Sequence, residues 1–199
     1  MFLYNTYKQQ FTFVVYPYRR INEALYLQNM IPSIHEASLL EIEIIQSLIQ
    51  RIWKPTYHEI LSEDQMDYML ARMYDPLTLR NQMDEGHKFL LLNEDNSPVG
   101  FAGFQFDCPE QGICKLHKLY LLPETQGKGL GKMLIHEVIE QARQAGQQSL
   151  LLNVNRYNKA FDFYKRYGFE IKGEEDIDIG GGYFMNDYIM EYKLNPKFK

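Results

Sequence analysis

The run Leu119-Tyr120-Leu121-Leu122-Pro123-Glu124-Thr125-Gln126-Gly127-Lys128-Gly129-Leu130-Gly131-Lys132 places an apolar strand, a glycine-bearing loop and the start of an amphipathic helix in immediate succession. The helix is written by Leu130, Leu134, Val138 and Ala142, which recur every four residues and are joined by Ile135 and Ile139, with Gly146 as its stop signal. The first N–H groups of a helix have no intrahelical partners and concentrate about half a positive charge, so this junction reads as an anion site whose natural ligand is a pyrophosphate. Gly127, Gly129 and Gly131 let the main chain come close, and Lys128 and Lys132 add cationic charge at the rim.

Two other phosphate loops are excluded by spacing. A Walker A loop ends in Gly-Lys-Ser/Thr, but here three residues separate Gly127 from Gly131 and Met133 follows Lys132, which leaves no hydroxyl for magnesium. A dinucleotide fingerprint follows the first strand of a βαβ unit, whereas this loop follows a predicted meander more than halfway along the chain.

That meander is Lys88 to Leu92, Val99 to Phe106 and Ile113 to Leu121, with a turn at Glu94-Asp95-Asn96-Ser97-Pro98. Ahead of it, a short strand in MIPSIHEA leads to a helix capped by Ser38 and carrying Leu39, Ile42, Ile45 and Ile49. Pro55 predicts a loop over Trp53 to Tyr57, after which Ser62 caps a second helix and Pro76 opens a third that stops near Gly86. Beyond the glycine loop, the pattern predicts a strand from Leu150 to Asn155, a helix from Lys159 to Tyr167 ended by Gly168, and a closing strand pair, Phe169 to Lys172 with Tyr183 to Leu194. Residues 1–29 are aromatic and polar without periodicity and are followed by Met30. They are expected to be an N-terminal appendage, a partner surface or a mis-assigned start, with the catalytic domain at 30–199.

At 199 residues the chain suits one α/β domain. A formal charge of −5, from 26 acidic and 21 basic residues, and the lack of a basic block argue against a nucleic-acid partner and permit a cationic small molecule. Cys108 and Cys114 make neither a disulfide framework nor a zinc spacing, so no metal is expected. No apolar run reaches the ~20 residues of a membrane helix, and the N-terminus lacks the basic n-region of a signal peptide, so the expectation is a cytoplasmic protein without a membrane partner.

The segment Gln126-x-x-Gly129-x-Gly131 resembles the pyrophosphate motif of the GNAT N-acetyltransferases. The preceding Leu119-Tyr120-Leu121-x-Pro123 and the later Asn158-x-Ala160-x-x-Phe163-Tyr164-x-x-x-Gly168-Phe169 match further family patterns, in order. The resemblance covers roughly Met30 to Leu194. It implies a mixed sheet of about six to seven strands with a splayed central pair and about four to five flanking helices. It also implies acetyl-CoA as co-substrate, with Leu119, Tyr120 and Leu121 beside the pantetheine arm and Gln126, Gly127, Lys128, Gly129, Leu130, Gly131 and Lys132 at the pyrophosphate. Asn153 or Asn155, and Asn158, are further cofactor contacts.

By the same resemblance Tyr164 protonates the departing thiolate, although its helical spacing also suits a core aromatic, and the Leu121 N–H meets the oxyanion. His117 alternates with Leu119 and Leu121, and some family members have a histidine at this position, which makes it the expected base, with water-relayed proton removal as the alternative. Histone-type members carry a glutamate two residues earlier, where Lys115 stands here. The family builds its acceptor pocket from the first helices and the final hairpin, which here supply Trp53, Tyr57, Glu59, Tyr183, Phe184 and Asp187. The acidic stretch Glu174-Glu175-Asp176-Asp178 lies nearby, as part of the pocket or as a solvated loop, with Gly180-Gly181-Gly182 as a mobile lid or a hairpin turn. Aromatic and acidic groups suit an ammonium ligand. The layout is similar to bacterial spermidine/spermine acetyltransferases, so a polyamine is the first expected acceptor. A protein or peptide amine and a non-catalytic acyl-CoA sensor are the alternatives. Homodimers are frequent in the family, which puts a second copy among the expected partners.

Overall fold

A computed structural model describes residues 31–194. The appendage expected at 1–29 lies outside these residues. Seven strands form one mixed sheet in the order β1-β2-β3-β4-β5-β7-β6, where β1 is Ser33–Glu36, β2 Lys88–Glu94, β3 Ser97–Gln105, β4 Ile113–Leu121, β5 Ser149–Asn155, β6 Glu170–Gly180 and β7 Tyr183–Lys193. Five α-helices accompany it: α1 Ile42–Tyr57, α2 Glu63–Met73, α3 Pro76–Asp84, α4 Leu130–Gln144 and α5 Ala160–Tyr167. The fold is thus the α/β architecture anticipated, with the anticipated number of strands and helices.

The sheet carries helices on both faces, and consecutive residues of β4 report which lies where. The Tyr120 hydroxyl is 3.3 Å from that of Tyr57 on α1, whereas the Leu121 side chain lies against Gly131 of α4. Ile45, Leu48, Ile49 and Ile52 of α1 and Leu134, Ile135, Val138, Ile139 and Ala142 of α4 are buried in the same continuous core. Each helix therefore hides one apolar stripe against the sheet, as its periodicity demanded.

Three local expectations need correction. Pro55 does not end α1, which continues to Tyr57. The proline sits on an exposed position of the helix. The Thr56 hydroxyl donates to the Ile52 carbonyl at 2.7 Å, and Trp53 packs at ring-centroid distances of 4.9 Å from Tyr57 and 5.4 Å from Tyr74. Tertiary burial on either side of Pro55 outweighs the one backbone bond that the proline removes.

The acidic stretch 174–178 is strand rather than loop, because β6 runs from Glu170 to Gly180 and pairs with β7 along its length. β6 is an outermost strand of the sheet, and Glu174, Glu175 and Asp176 are exposed in succession, which is how this strand carries many carboxylates. Gly180, Gly181 and Gly182 take left-handed φ values of 81°, 66° and 82° and close the hairpin. The β2–β3 turn is also tighter than expected, with Asp95 and Asn96 alone at φ 52° and 58° and Pro98 already in the strand.

Candidate active site

The parallel pair β4–β5 is registered only from Ile113↔Ser149 to Leu116↔Leu152. Beyond that point β4 continues to Leu121, still paired with β3, and β5 continues to Asn155, still paired with β7. The two strands part into a fork whose inner edges have no strand partner among the described residues. The Leu122 N–H donates to the Val99 carbonyl on the β3 side at 2.8 Å. Backbone amides alternate along a strand, so those of Leu121 and Leu119 point the other way, into the fork.

The open end of the fork meets the N-terminus of α4. The first hydrogen bonds of this helix run from the Lys132 and Met133 N–H groups to the Gly129 carbonyl. The N–H groups of Gly129, Leu130 and Gly131 therefore lie ahead of the ladder, where an anion is stabilised. Gly127 and Gly129 have φ of 81° and 85°, and a Cβ on either would meet nothing within 4 Å. What these glycines supply is the left-handed turn, not room inside the protein. Gly131 differs: a Cβ there would lie 3.3 Å from Leu121 Cδ1 and 3.7 Å from Phe163 Cζ. Its role in the fold is to let α4 approach β4 and α5. Lys128 is paired with Glu94 at 2.7 Å, while Lys132 and the loop residue Gln126 add polar surface beside them.

Tyr164 is 7% exposed and is held by the end of α5. Gly168, at φ 111°, caps that helix, and the Gly168 and Phe169 N–H groups both donate to the Tyr164 carbonyl. The Phe169 ring packs against the Tyr164 ring at 5.5 Å. Burial, and then the nearby Tyr57, push the Tyr164 hydroxyl well above the ordinary tyrosine range, so it keeps its proton. Tyr57, Tyr74 and Tyr120 form a buried hydroxyl cluster beside it, each raised chiefly by desolvation. Asn158 spends its side-chain oxygen on the Ala160 N–H at 2.8 Å, which caps α5, and its side chain also reaches Tyr57. Asn155 accepts from the Tyr157 N–H at 3.0 Å.

The alternation that would align His117 with Leu119 and Leu121 is broken. The β3–β4 register slips between Gly103↔Lys118 and Phe104↔Leu116, so His117 is an extra residue, a bulge. Its ring stacks on His87 at 4.6 Å, away from the packing of Leu121 on α4. Desolvation of the ring in this stack, then the charges of His87, Lys118 and Lys115, hold it below the ordinary histidine range, a pull that the exposure of the residue as a whole weakens without reversing, so it is neutral near pH 7. Lys118 is 8% exposed, lies 5.5 Å from the Tyr74 and Phe89 ring centroids, and is pulled down to about 8 by burial.

On the acceptor side the expected residues divide. Trp53 is fully enclosed in the core at 2% exposure and has no free face for a ligand. Tyr183 packs on Tyr68 at 5.3 Å, and Glu59 is engaged by Lys159 at 3.3 Å. Tyr57 and Asp187 come together at the fork, while Phe184 is exposed near the hairpin tip. Asp187, 6% exposed, is pushed up to about 6 by burial, against the pull of Asn153, Lys115 and Arg156. Arg156 also neutralises part of the acidic strand through Glu174, at 3.3 Å, and Asp176.

Sequence reasoning missed the Lys115–Asn153 pair, in which the lysine ammonium donates to the Asn153 side-chain oxygen, and the place of Tyr74 in the hydroxyl cluster. Their partners are remote along the chain, so no local pattern announced them. Among the described residues there is no group of three or more His, Cys, Asp or Glu side chains that would hold a metal. None of the described helices is long and apolar enough to cross a membrane.

Residues 58–182 match the family described as acetyltransferase (GNAT) domain. The [ribosomal protein bS18]-alanine N-acetyltransferase of Haemophilus influenzae is 30% identical over 138 residues, 69% of this chain and 88% of that protein. The spermidine N(1)-acetyltransferase of Thermoplasma acidophilum is 28% identical over 166 residues, 80% and 96% of the two chains. The crystal structure of PaiA N-acetyltransferase from Thermoplasma acidophilum in complex with coenzyme A superposes with a TM-score of 0.70 at 28% identity, covering 82% of this chain and 99% of that one.

Proposed function

Because the chain belongs to the GNAT acetyltransferase family and is an acetyl-CoA-dependent N-acetyltransferase, we propose that it transfers the acetyl group to a primary amine of a small cationic molecule, a polyamine first among them. The observation that carries this reading is the fork itself: an unpaired inner edge on β4 that ends at the bare N-terminus of α4. Those two features suit the two halves of the co-substrate, amides along the strand and phosphates at the helix. When bound, acetyl-CoA supplies the activated acyl group as a thioester.

Everything else is work for the chain's own residues. The Leu119 and Leu121 amides position the pantetheine arm, and Gln126 to Lys132 hold the pyrophosphate, chiefly through main-chain N–H groups. Asn153 and Asn158 contribute side-chain amides. The Leu121 N–H stabilises the oxygen on which charge develops. Tyr164, protonated and packed against Phe169, gives its proton to the leaving sulfur. Removal of the amine's proton has two candidates, His117 in its stack and Asp187 on β7. The acceptor enters past Tyr57, Phe184 and the β6–β7 carboxylates, whose negative charge favours an ammonium group. The protein works in the cytoplasm, and a second copy is a candidate partner.

The Haemophilus relative, named for a ribosomal-protein alanine, supports a second acceptor class, a protein N-terminus. Incubation with acetyl-CoA and a panel of polyamines, amino acids and short peptides, following free thiol, tests both. Turnover of polyamines above peptides, abolished or strongly reduced in Tyr164→Phe, is expected. Peptide turnover in excess would favour the second reading. Coenzyme A binding without any turnover would favour a sensor, and failure to bind coenzyme A would sink the proposal.

A further inference from the structure

We propose that Asp187, held just past the vertex of the fork with Asn153 and Lys115, takes the proton from the acceptor's ammonium group and so delivers a neutral amine. This rests on the acetyltransferase reading above. The last β4–β5 pair is Leu116↔Leu152, and Asn153 is the next residue on β5. Its side-chain oxygen accepts from Lys115 on β4, which leaves its NH2 group toward Asp187. Three strands thus contribute one polar group each to a single spot, and that spot lies where the parted strands first admit a ligand.

The other buried carboxylate on β7 clarifies the choice. Glu191 is bound by Lys193 at 2.7 Å and Lys172 at 3.1 Å, so its charge is spent on structure. Asp187 closes no ion pair of that kind among the described residues. Enclosing a carboxylate without a full counter-charge is costly unless a cation arrives, and an ammonium substrate is such a cation. Around Asp187 stand Lys115 from β4, Arg156 from the β5–α5 segment, Glu175 opposite it on β6 and Tyr57 from α1. The cations pull its affinity for protons down, while burial and Glu175 raise it. The balance leaves it a better proton acceptor than an ordinary aspartate.

The proton balance closes without further reagents. One N–H bond of R–NH3+ breaks and an O–H bond forms on Asp187. The freed lone pair makes the N–C bond as the C–S bond breaks, and the sulfur receives a proton from Tyr164. The nitrogen then sheds its second surplus proton, which restores the tyrosine. Asp187 returns its own proton to solvent.

The test measures kcat/KM for spermidine against pH in the wild type, Asp187→Asn and Lys115→Met. We expect a fall of about a hundredfold in Asp187→Asn near neutrality, with loss of the acidic limb that the wild type has near pH 6. Lys115→Met is expected to move that limb to higher pH, since removing the cation raises Asp187. Calorimetric binding of coenzyme A, expected to be unchanged in Asp187→Asn, verifies that the variant is folded. Activity of Asp187→Asn within about threefold of the wild type, acidic limb retained, would overturn the proposal. A second readout needs no turnover: the carbon-13 resonance of the Asp187 carboxyl in the coenzyme A complex. It should titrate above the ordinary aspartate range and higher still in Lys115→Met. A midpoint in the ordinary range, or one indifferent to Lys115→Met, overturns the proposal even if spermidine is not acetylated. Wild-type protein that binds no coenzyme A would instead remove the acetyltransferase reading on which it rests.

Discussion

Strands β4 and β5 are one pair with two characters. From Ile113 to Leu116 they are registered against Ser149 to Leu152, and Cys114, Leu116, Leu150 and Leu152 are buried and apolar. From His117 and Asn153 onward the same strands are parted, and the side chains on the α1 side are Asn153, Tyr120 and, across β7, Asp187, with Lys115 reaching Asn153 from the paired half. The change takes place within one residue, at the His117 bulge. Packing energy is invested below that point, and chemistry is possible above it because packing is withheld.

Variants on the two sides should therefore fail in opposite ways. The largest effect is expected above the vertex: Tyr164→Phe should lower kcat by about 10²- to 10⁴-fold, the usual scale for a lost proton donor. Its melting temperature should hardly move, since the Phe169 packing is retained. Loss of stability in proportion to activity would make Tyr164 a core residue and blur the contrast.

Below the vertex the order reverses. Leu152→Ala removes a side chain that is 1% exposed and should cost about 2–5 kcal/mol in urea unfolding. A cost under 1 kcal/mol would mean that the closed half is not where stability is stored.

Asp187→Asn should stabilise. The folded-state pKa near 6 lies above the unfolded value of about 3.9, so in the wild type the stability linked to this proton is full below about pH 4 and lost as pH rises through about 6. The advantage of the variant over the wild type should grow by about 1–3 kcal/mol between pH 4 and pH 7 in denaturant titrations. A pH-independent difference would remove Asp187 from the strained half. The smallest effect is expected at Gly129→Ala, where φ of 85° costs a residue with Cβ about 1–2 kcal/mol. Coenzyme A affinity, read by calorimetry, should fall with it, and unchanged affinity would show that the turn tolerates a second geometry.

Much of the fold was legible because it rests on local signals. The four-residue recurrence of Leu130, Leu134, Val138 and Ala142 and the stops at Gly146 and Gly168 needed no tertiary information. Pro55 misled because its penalty is local, whereas the burial of Trp53 that overrides it is not. The length of β6 was hidden by its carboxylates, which look like loop until their pairing with β7 is seen. Of the site, the glycine loop and Tyr164 stood in one contiguous pattern each. The bulge at His117 left no mark, because strand alternation is counted by assuming that nothing interrupts it. Asp187 and Lys115 are brought together by three strands, and spacing along the chain carries no trace of that meeting.

The fork also bears on how this protein stays out of trouble. Unsatisfied strand edges are usually found at the rim of a sheet, where a neighbouring molecule can pair with them and seed aggregation. Here the open edges of His117–Leu121 and Asn153–Asn155 face each other in the middle of the sheet, between strands still anchored to β3 and β7. An invading strand would need a flank to approach from, and the fork has none. The protein keeps an adhesive edge inside its own sheet, open at one end to a slender guest and shielded from other copies of itself.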